Sequence, residues 1–334
     1  MMLKIIEAID SIYSKLIRSP FDTKDKMSKD MRRLRLAFAA WVNTAMRMAQ
    51  EWGIGKLVIS LEGDGLFVRE ESGLYFLYVP NFGLRHLEFN GTNDRLQLEF
   101  ILNNLGDNCV FFDVGASYGY YGMSLAKAVP SSAVHCFEAV PSTCYYLIKN
   151  IEKNGLKNII VQQEAVGEIE GKVYVTNNNF GGDYISVDIG SKGGIHHNEV
   201  QCITLDSYVK ANEIHRVDYI KIDVEGAELL VLKGARNLIE VFKPIIQVET
   251  TDAFMQRFGH KSADVFKFLM QMGYDYLFLG KHEEEYGIGK LQLSTGDIYS
   301  DMAVASEFFF HPRSSPVKWL YVSKYNKPLR YPYV

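Results

Sequence analysis

Predicted strands and helices alternate along residues 96–280, and this alternation constrains the fold more than any other feature. Short apolar runs are each followed by a stretch with helical spacing of its apolar residues. Repeated strand–helix units pair their strands in parallel and place helices on both faces of the sheet. We therefore predict an α/β fold with a doubly wound, mostly parallel sheet and a ligand site beyond the carboxyl ends of its strands. The predicted strands are 109–114, 133–137, 158–162, 219–224 and 244–249, and the predicted helices are 118–128, 141–154, 226–240 and 262–272.

The chain divides into two parts on the same patterns. Residues 1–95 predict an accessory region of two helices and then short strands, and residues 96–334 predict the α/β domain. Ten basic and five acidic side chains occur in the first fifty residues, although the whole chain has a formal charge of −4. A basic amphipathic helix can lie on an anionic membrane surface, but the more ordinary explanation is a helix that packs on the protein's own core and exposes its charges to water.

Composition excludes several classes of protein. Hydrophobic residues make up 47% and charged residues 23% of the 334 residues, which is typical of a globular chain. No run approaches the roughly 18–20 uncharged apolar residues of a membrane-spanning helix, and charged residues interrupt any signal peptide at the N-terminus. The four cysteines lack C-x-x-C spacing, so we predict reduced thiols in a cytoplasmic protein. Attachment to the inner membrane face through the basic helices stays open.

A glycine-rich turn follows the first strand of the domain, within the segment Phe111–Gly122. Gly115 and Gly119 allow the backbone to approach a ligand closely, and the helix that follows offers free N–H groups. The spacing G-x-x-x-G-x-x-G differs from the G-x-G-x-x-G of dinucleotide sites. Asp113, at the strand end, suits a ligand with an ammonium group, such as the methionyl part of S-adenosylmethionine.

An acidic residue, Glu138, ends the next predicted strand. A carboxylate in this place can accept hydrogen bonds from both ribose hydroxyls, and its distance along the chain from Gly115 is close to the roughly 20 residues expected. The plainer explanation is a solvated glutamate at a strand end. Together, the turn and Glu138 favour a ligand that contains adenosine.

Four motifs in chain order link residues 108–280 to a known family. They are Phe112–Ala116 with Gly119–Tyr121, Phe137–Glu138 with Pro141, Glu164–Gly167, and Lys221-Ile222-Asp223-Val224-Glu225-Gly226-Ala227-Glu228. On these residues the chain resembles the FkbM-type methyltransferases, with a further match at Phe310–Arg313 and none in residues 1–95. Two departures are Ser117-Tyr118, where Asn-Ile is more usual, and the insertion of Ala139-Val140 before Pro141.

The resemblance implies a class I methyltransferase fold, S-adenosylmethionine as methyl donor, and O-methylation of a sugar or related small molecule. It implies that Asp113 and Gly115 hold the methionyl end, that Glu138 binds the ribose, and that Glu164 lies near the adenine. The full cofactor-binding set implied in this way is Asp113, Gly115, Ala116, Tyr118, Gly119, Glu138, Ala139, Glu164, Ala165 and Asp223.

Two carboxylates at strand ends are candidates for acid–base chemistry. A sugar hydroxyl is a poor nucleophile, so a general base should lie within hydrogen-bond reach of the acceptor oxygen. Asp223 is the first candidate for this base and Glu249 the second. The pair could instead hold a divalent metal that acidifies the hydroxyl, but two carboxylates do not define a metal site, and we assign none.

The loop at 177–198 is rich in Gly, Asn and His, and long loops in compact domains are usually functional or disordered. A histidine pair in such a loop is more often simply solvated, and acidic residues at a helix start complement its dipole. The candidates for binding the acceptor are Asp183, Tyr184, His196, His197 and Glu225.

We therefore predict an O-methyltransferase that acts on a sugar hydroxyl of a glycan, polysaccharide or other small saccharide. The alternative is a catalytically inactive cofactor-binding scaffold or partner subunit in a glycan-assembly complex. The glycine spacing disfavours a nicotinamide dehydrogenase, and the lack of an Asn/Asp-Pro-Pro-aromatic tetrapeptide or basic stripe disfavours a nucleic-acid methyltransferase. The expected partner is a small-molecule or glycan acceptor and not nucleic acid, and the sequence leaves a homo-oligomer open.

Overall fold

The computed structural model describes residues 58–62, 65–69, 73–77, 97–177, 185–188, 197–279, 291–293 and 297–315. The strands are β1 (Val58–Glu62), β2 (Gly65–Arg69), β3 (Tyr75–Leu77), β4 (Val110–Val114), β5 (Ala133–Phe137), β6 (Ile159–Gln162), β7 (Ala165–Val166), β8 (Gly171–Asn177), β9 (Ile185–Asp188), β10 (His197–Ile203), β11 (Tyr219–Ile222), β12 (Ile245–Glu249), β13 (Tyr274–Leu279), β14 (Leu291–Leu293) and β15 (Glu307–Pro312). The helices are α1 (97–104), α2 (Tyr120–Ala128), α3 (Pro141–Asn154), α4 (Leu205–Ala211), α5 (Glu228–Lys233), α6 (Arg236–Phe242), α7 (Asp252–Met255), α8 (Ser262–Gln271) and α9 (Ile298–Val304). A short 3₁₀ helix, Gln256–Phe258, follows α7.

An eight-stranded sheet with the order β14-β13-β15-β12-β11-β4-β5-β6 forms the centre of the domain. Its five strands from β12 to β6 are parallel, whereas β15 runs antiparallel to β12 and β13. The predicted doubly wound, mostly parallel sheet is confirmed. The chain leaves β4 towards β5 and later returns to β11 on the other side, so the strand order reverses between β4 and β11. Ligands of such sheets bind at this point.

The sheet is buried on both faces, which explains its continuous apolar strands. In β4, Phe112 and Val114 contribute to one apolar layer, which also contains Phe308. Phe111 contributes to the other layer and stacks on Tyr219 of the neighbouring strand, with ring centroids 5.5 Å apart. Alternate residues of one strand therefore serve two separate cores.

The single helix predicted at 226–240 is wrong, because two helices, α5 and α6, occupy this stretch. They meet at Gly234, where a side chain would place its Cβ 2.0 Å from the carbonyl oxygen of Gly167. The carboxylate of Asp206 accepts hydrogen bonds from the backbone N–H groups of Asn237 and Leu238, at 3.0 and 2.8 Å. The close backbone contact and this capping carboxylate start a new helix instead of continuing the first one.

A second sheet, with the order β7-β10-β8-β9, is inserted between β6 and α4. The predicted strands 172–176 and 200–204 correspond to β8 and β10. The interpretation of 177–198 as a loop is wrong in part, since β9 lies within it and β10 begins at His197. The apolar side of this sheet packs against Val140, directly after the tip of β5.

The strands before the α/β domain form a third, antiparallel sheet in the order β1-β2-β3. These strands lie where the sequence predicts strands, whereas the two predicted N-terminal helices lie outside the described residues. The Asn154 side chain joins β3 to α3, because its Nδ2 donates to the Tyr75 carbonyl at 2.7 Å and its Oδ1 accepts from the Tyr75 N–H at 2.9 Å. Phe76 is buried beside Tyr120. The division of the chain at residue 95 stays a prediction.

Two further sequence expectations concern the whole chain. All four cysteines are buried as free thiols, which agrees with the predicted reduced state. Across the described ranges, no helix has both the length and the apolar composition needed to cross a membrane.

Candidate active site

The glycine-rich turn after β4 is held between β5 and β11. Gly115 has a φ of +80°, and a Cβ there would lie 1.8 Å from the backbone oxygen of Asp223, so only glycine fits. The N–H groups of Gly115 and Ala116 both donate to the carbonyl of Phe137 at 3.0 Å. The turn is therefore fixed by backbone contacts on both sides.

Asp113 lies beneath this turn and is only 1% exposed. Its Oδ2 accepts a hydrogen bond from the Gly122 N–H at 2.9 Å, and its Oδ1 has no partner in the part of the chain that the structure describes. Burial raises the pKa of Asp113, while the Lys221 ammonium and the Gly122 bond act in the opposite direction. The strand tip therefore contains a buried carboxyl oxygen that still lacks a donor.

Glu138 connects the turn to the tip of β5. It is 4% exposed, which excludes the solvated side chain considered above. Its Oε2 accepts from the Ser117 N–H at 2.9 Å, and its Oε1 accepts from the Val140 N–H at 2.8 Å. Burial raises the pKa of Glu138 to about 7, although both hydrogen bonds act to lower it. Ser117 reaches this position with a φ of +50°, in the left-handed region.

The other predicted cofactor-binding residues surround the turn and the tips of β5 and β6. Gly119 is the N-cap of α2, with a φ of +91°. The Tyr118 ring packs against Tyr146, at 5.7 Å between centroids. Ala139 packs against the inserted sheet, Glu164 is half-buried before β7, and Ala165 pairs with Cys202 of β10.

An ion pair stands at the tip of β11. The Lys221 Nζ donates to Oδ2 of Asp223 at 3.0 Å, and the two side chains are 6% and 33% exposed. The ammonium also lies 4.7 Å from the ring centroid of Tyr121. Burial alone would lower the pKa of Lys221, but the negative charges of Asp223, Asp113 and Glu307 outweigh it and raise this pKa. Lys221 is therefore a permanent positive charge among carboxylates.

Glu249 and Glu307 face each other across β12 and β15 as a register pair. The charge of Asp223, followed by burial and by Glu307, raises the pKa of Glu249 to about 9. Glu307 accepts a 2.5 Å hydrogen bond from Nε2 of Gln247, which is fully buried. These neighbouring charges and burial therefore favour the protonated form of Glu249.

The loop between β11 and α5 is closed by Glu228, which is 2% exposed. Its Oε1 accepts hydrogen bonds from the N–H groups of Val224 and Gly226, at 3.2 and 2.9 Å. Burial raises the pKa of Glu228 to about 7. Glu225 is half-buried in the same loop and has a φ of +55°. Glu228 thus holds the loop together in addition to lying at a helix N-terminus.

Some predicted residues cannot be placed, and two residues of the site were missed. Asp183, Tyr184 and His196 lie outside the described residues, and His197 is placed only by its backbone pairing with Thr176. Lys221 was assigned no function, although its position two residues before Asp223 puts both on one face of the strand. Glu307 had no local signal, because only the return of β15 to the sheet brings it to this site. Within the described ranges, no group of three or more metal-ligating side chains comes together.

The family model for the methyltransferase FkbM domain matches residues 113–276. The chain is similar to the methyltransferase FkbM from Methylobacillus flagellatus KT, with 18% identity, a TM-score of 0.40, and coverage of 62% of this chain and 44% of that one. The match therefore spans less than half of the M. flagellatus protein.

Two other solved structures match this chain over a larger share of their own length. A SAM dependent methyltransferase from Aquifex aeolicus has 15% identity and a TM-score of 0.34, over 67% of this chain and 95% of that chain. M. jannaschii TYW2 in complex with AdoMet has 13% identity and a TM-score of 0.35, over 77% of this chain and 87% of that chain. A search of curated proteins found no match.

Proposed function

We propose that this chain, whose residues 113–276 match the family model for the methyltransferase FkbM domain, is an S-adenosylmethionine-dependent methyltransferase that methylates a hydroxyl oxygen of a saccharide. The central sheet is the mostly parallel sheet of class I methyltransferases. The observation that carries the proposal is the half-buried Asp223 carboxylate, held by Lys221 directly beside the glycine-rich turn. A fixed carboxylate in this place is suited to accept the proton of an attacking hydroxyl group.

The residues at the strand tips fit the cofactor of the family. Among the described residues, none donates to the buried Oδ1 of Asp113, and the ammonium of the methionyl group would satisfy this oxygen. Each oxygen of Glu138 accepts one backbone N–H and has a second lone pair for a ribose hydroxyl. Gly115 keeps the turn free of a side chain. When bound, S-adenosylmethionine supplies an electrophilic methyl group on a sulfonium.

Asp223 and Glu249 have different roles in this proposal. Asp223 accepts the proton of the acceptor hydroxyl at Oδ1, because Oδ2 already takes the Lys221 hydrogen bond. General-base assistance of this kind contributes about 10²–10⁴-fold to a rate. The charges around Glu249 favour its protonated form, so it donates a hydrogen bond to the acceptor instead of competing for the proton. This difference favours Asp223 over Glu249 as the base.

The charges around Asp223 favour an acceptor without negative charge. Asp223, Glu225 and Glu307 are acidic, and Lys221, which is positively charged, is only 5% exposed. An acceptor that carries phosphate or carboxylate would be repelled here, whereas hydroxyl groups can donate to these carboxylates. A neutral saccharide fits this environment. The cytoplasmic location and the membrane-surface attachment of residues 1–50 stay predictions from composition.

A transfer assay tests the proposal. The full chain is incubated with S-adenosylmethionine labelled with ¹³C in its methyl group and with a panel of neutral oligosaccharides, amines and a structured RNA, and S-adenosylhomocysteine is measured. We expect turnover with a neutral saccharide and a new O-methyl carbon signal in its NMR spectrum. Turnover only with an amine or RNA would contradict the proposed acceptor. Binding of S-adenosylhomocysteine without turnover on any panel member would favour the inactive scaffold.

A further inference from the structure

We propose that Lys221 is a positioning residue for methyl transfer, whose buried ammonium is the counter-charge of the Asp223 carboxylate and orients it towards the acceptor. The inference rests on the proposed role of Asp223 as the general base. Lys221 itself does not touch the acceptor, since it is 5% exposed.

In the ion pair, Lys221 is buried and Asp223 is partly exposed. Lys221 lies inside β11, in register with Asp113 of β4 and Gln247 of β12. Its Nζ reaches forward to Asp223, which lies just beyond the strand and is about one-third exposed. A bond of 3.0 Å from a fixed donor restricts the rotation of the carboxylate. Lys221 therefore determines which oxygen of Asp223 stays available.

Carboxylates from three parts of the sheet stabilise the charge of Lys221. Asp113 on β4, Asp223 after β11 and Glu307 on β15 all stabilise its charged form. The Tyr121 ring from α2 contributes a cation–π contact at 4.7 Å. Three carboxylates thus share one ammonium, which has three N–H donors.

The surroundings of Asp223 are otherwise acidic. Its negative charge is the largest cause of the raised pKa of Glu249 on β12, and it adds to the effect of burial on the pKa of Glu228 on α5 and of Glu138 after β5. Lys221 has the opposite effect, because its charge acts to lower the pKa of both Asp113 and Glu249. Without Lys221, Asp223 would keep its acidic neighbours and lose its counter-charge.

A purely structural role is the alternative explanation for this lysine, because removing one member of a buried ion pair leaves the other charge without its partner. The tests of Lys221 therefore use measurements that a loss of stability alone would not move.

Three variants of Lys221 separate charge from packing. K221M and K221Q remove the charge, and K221R keeps it. We expect the acid limb of the kcat/KM pH profile to move upwards by about one to three pH units in both neutral variants, which is the usual effect of an adjacent opposite charge. K221R should restore the wild-type limb. In a D223N background, the neutral substitutions should no longer move it.

A second readout does not depend on the acceptor. The carboxyl ¹³C signal of Asp223, assigned by its loss in D223N, is followed against pH in the wild type and in K221M. The proposal expects the titration of this signal to move upwards in K221M. An equal loss of activity at every pH, with an unmoved Asp223 signal, would overturn it.

The same spectra cover two remaining outcomes. If the wild type transfers no methyl group to any saccharide, the proposed function fails, and the Asp223 signal still decides the role of Lys221. If neither neutral variant folds, an NMR titration of the wild-type protein tests the role of Lys221. A Lys221 ¹⁵Nζ signal that changes at the pH where Asp223 takes up its proton supports the proposal, and independent titrations contradict it.

Discussion

Carboxyl groups that lie close together at the strand tips hold their protons differently. Asp223 is paired with an ammonium group, whereas Glu249 faces Asp223 and Glu307, and their charges with burial raise its pKa to about 9. Sequence analysis could identify Asp223 and Glu249, because both end predicted strands. It ranked Asp223 first but could not predict the difference in their charge environments, because that difference arises from Lys221 and Glu307, whose positions depend on the sheet.

Substitution of the two carboxyl groups by amides should therefore have unequal effects. E249Q replaces a neutral acid by a neutral amide, so we expect kcat near pH 7 to stay within a few-fold of the wild type. D223N removes the base, so kcat should fall by about 10²–10⁴-fold. Steady-state kinetics measure both, with calorimetric binding of S-adenosylhomocysteine as the check of an intact cofactor site. Equal losses in the two variants would contradict the assignment.

Gly115 and Gly106 form a matched pair for the glycine-rich turn. A Cβ at Gly115 would lie 1.8 Å from the Asp223 carbonyl oxygen at a φ of +80°, whereas a Cβ at Gly106 meets nothing within 4 Å. We expect G115A to lower the free energy of unfolding by at least about 1–3 kcal/mol from backbone strain, and to abolish cofactor binding. G106A should do neither. Denaturant unfolding of both variants tests this, and a fully stable G115A that binds cofactor would exclude the described turn.

At the scale of elements, the sequence pattern predicted those strands and helices whose formation depends mainly on residues nearby in the sequence. All five predicted strands of the parallel sheet are present, and α3 begins at Pro141 and ends before Gly155 as predicted. The break between α5 and α6 was missed because it depends on Gly167, which lies far away in the sequence. The strands β13 and β15 were missed because the helical and strand patterns of short apolar runs are similar, and their pairing is set by the rest of the sheet.

The contact between β3 and α3 predicts a role for one side chain. Asn154 makes two hydrogen bonds to the Tyr75 backbone and a further one to the Asn150 carbonyl, so it takes the place of a strand neighbour at this edge of β3. We expect N154A to destabilise the chain by about 1–3 kcal/mol, because two partly buried backbone groups lose their partner. Limited proteolysis should then cut residues 58–77 faster than in the wild type. N103A, at an exposed position on α1, is the control and should leave the cleavage rate unchanged.

Across the whole molecule, buried acids make stability depend on pH. Glu249 keeps its proton up to about pH 9 in the folded chain, whereas an ordinary glutamate loses it near 4.5. Between these values the folded state binds more protons than the unfolded state, so its stability falls as the pH rises. The raised pKa values of Glu138 and Glu228, both about 7 and mainly due to burial, act in the same direction up to neutral pH.

The pH dependence of stability can be measured in the pH range where Glu249 contributes most to it. From about pH 7 to about pH 8.5, we expect the melting temperature of the wild type to fall, and E249Q to reduce the slope because it carries no titrating proton. E170Q changes an exposed glutamate and should keep the wild-type slope. Differential scanning fluorimetry in matched buffers is sufficient. A slope that E249Q leaves unchanged would show that Glu249 is not protonated in the folded protein.

Calorimetric titration of S-adenosylhomocysteine into the wild type, D113A, E138A and E170A tests the cofactor site at the tips of β4 and β5 most directly. We predict a single site per chain, a loss of about 1–3 kcal/mol in binding free energy for D113A and for E138A, and no change for E170A, whose glutamate is exposed. Unaltered affinity in both D113A and E138A, or no binding to the wild type, would contradict the account.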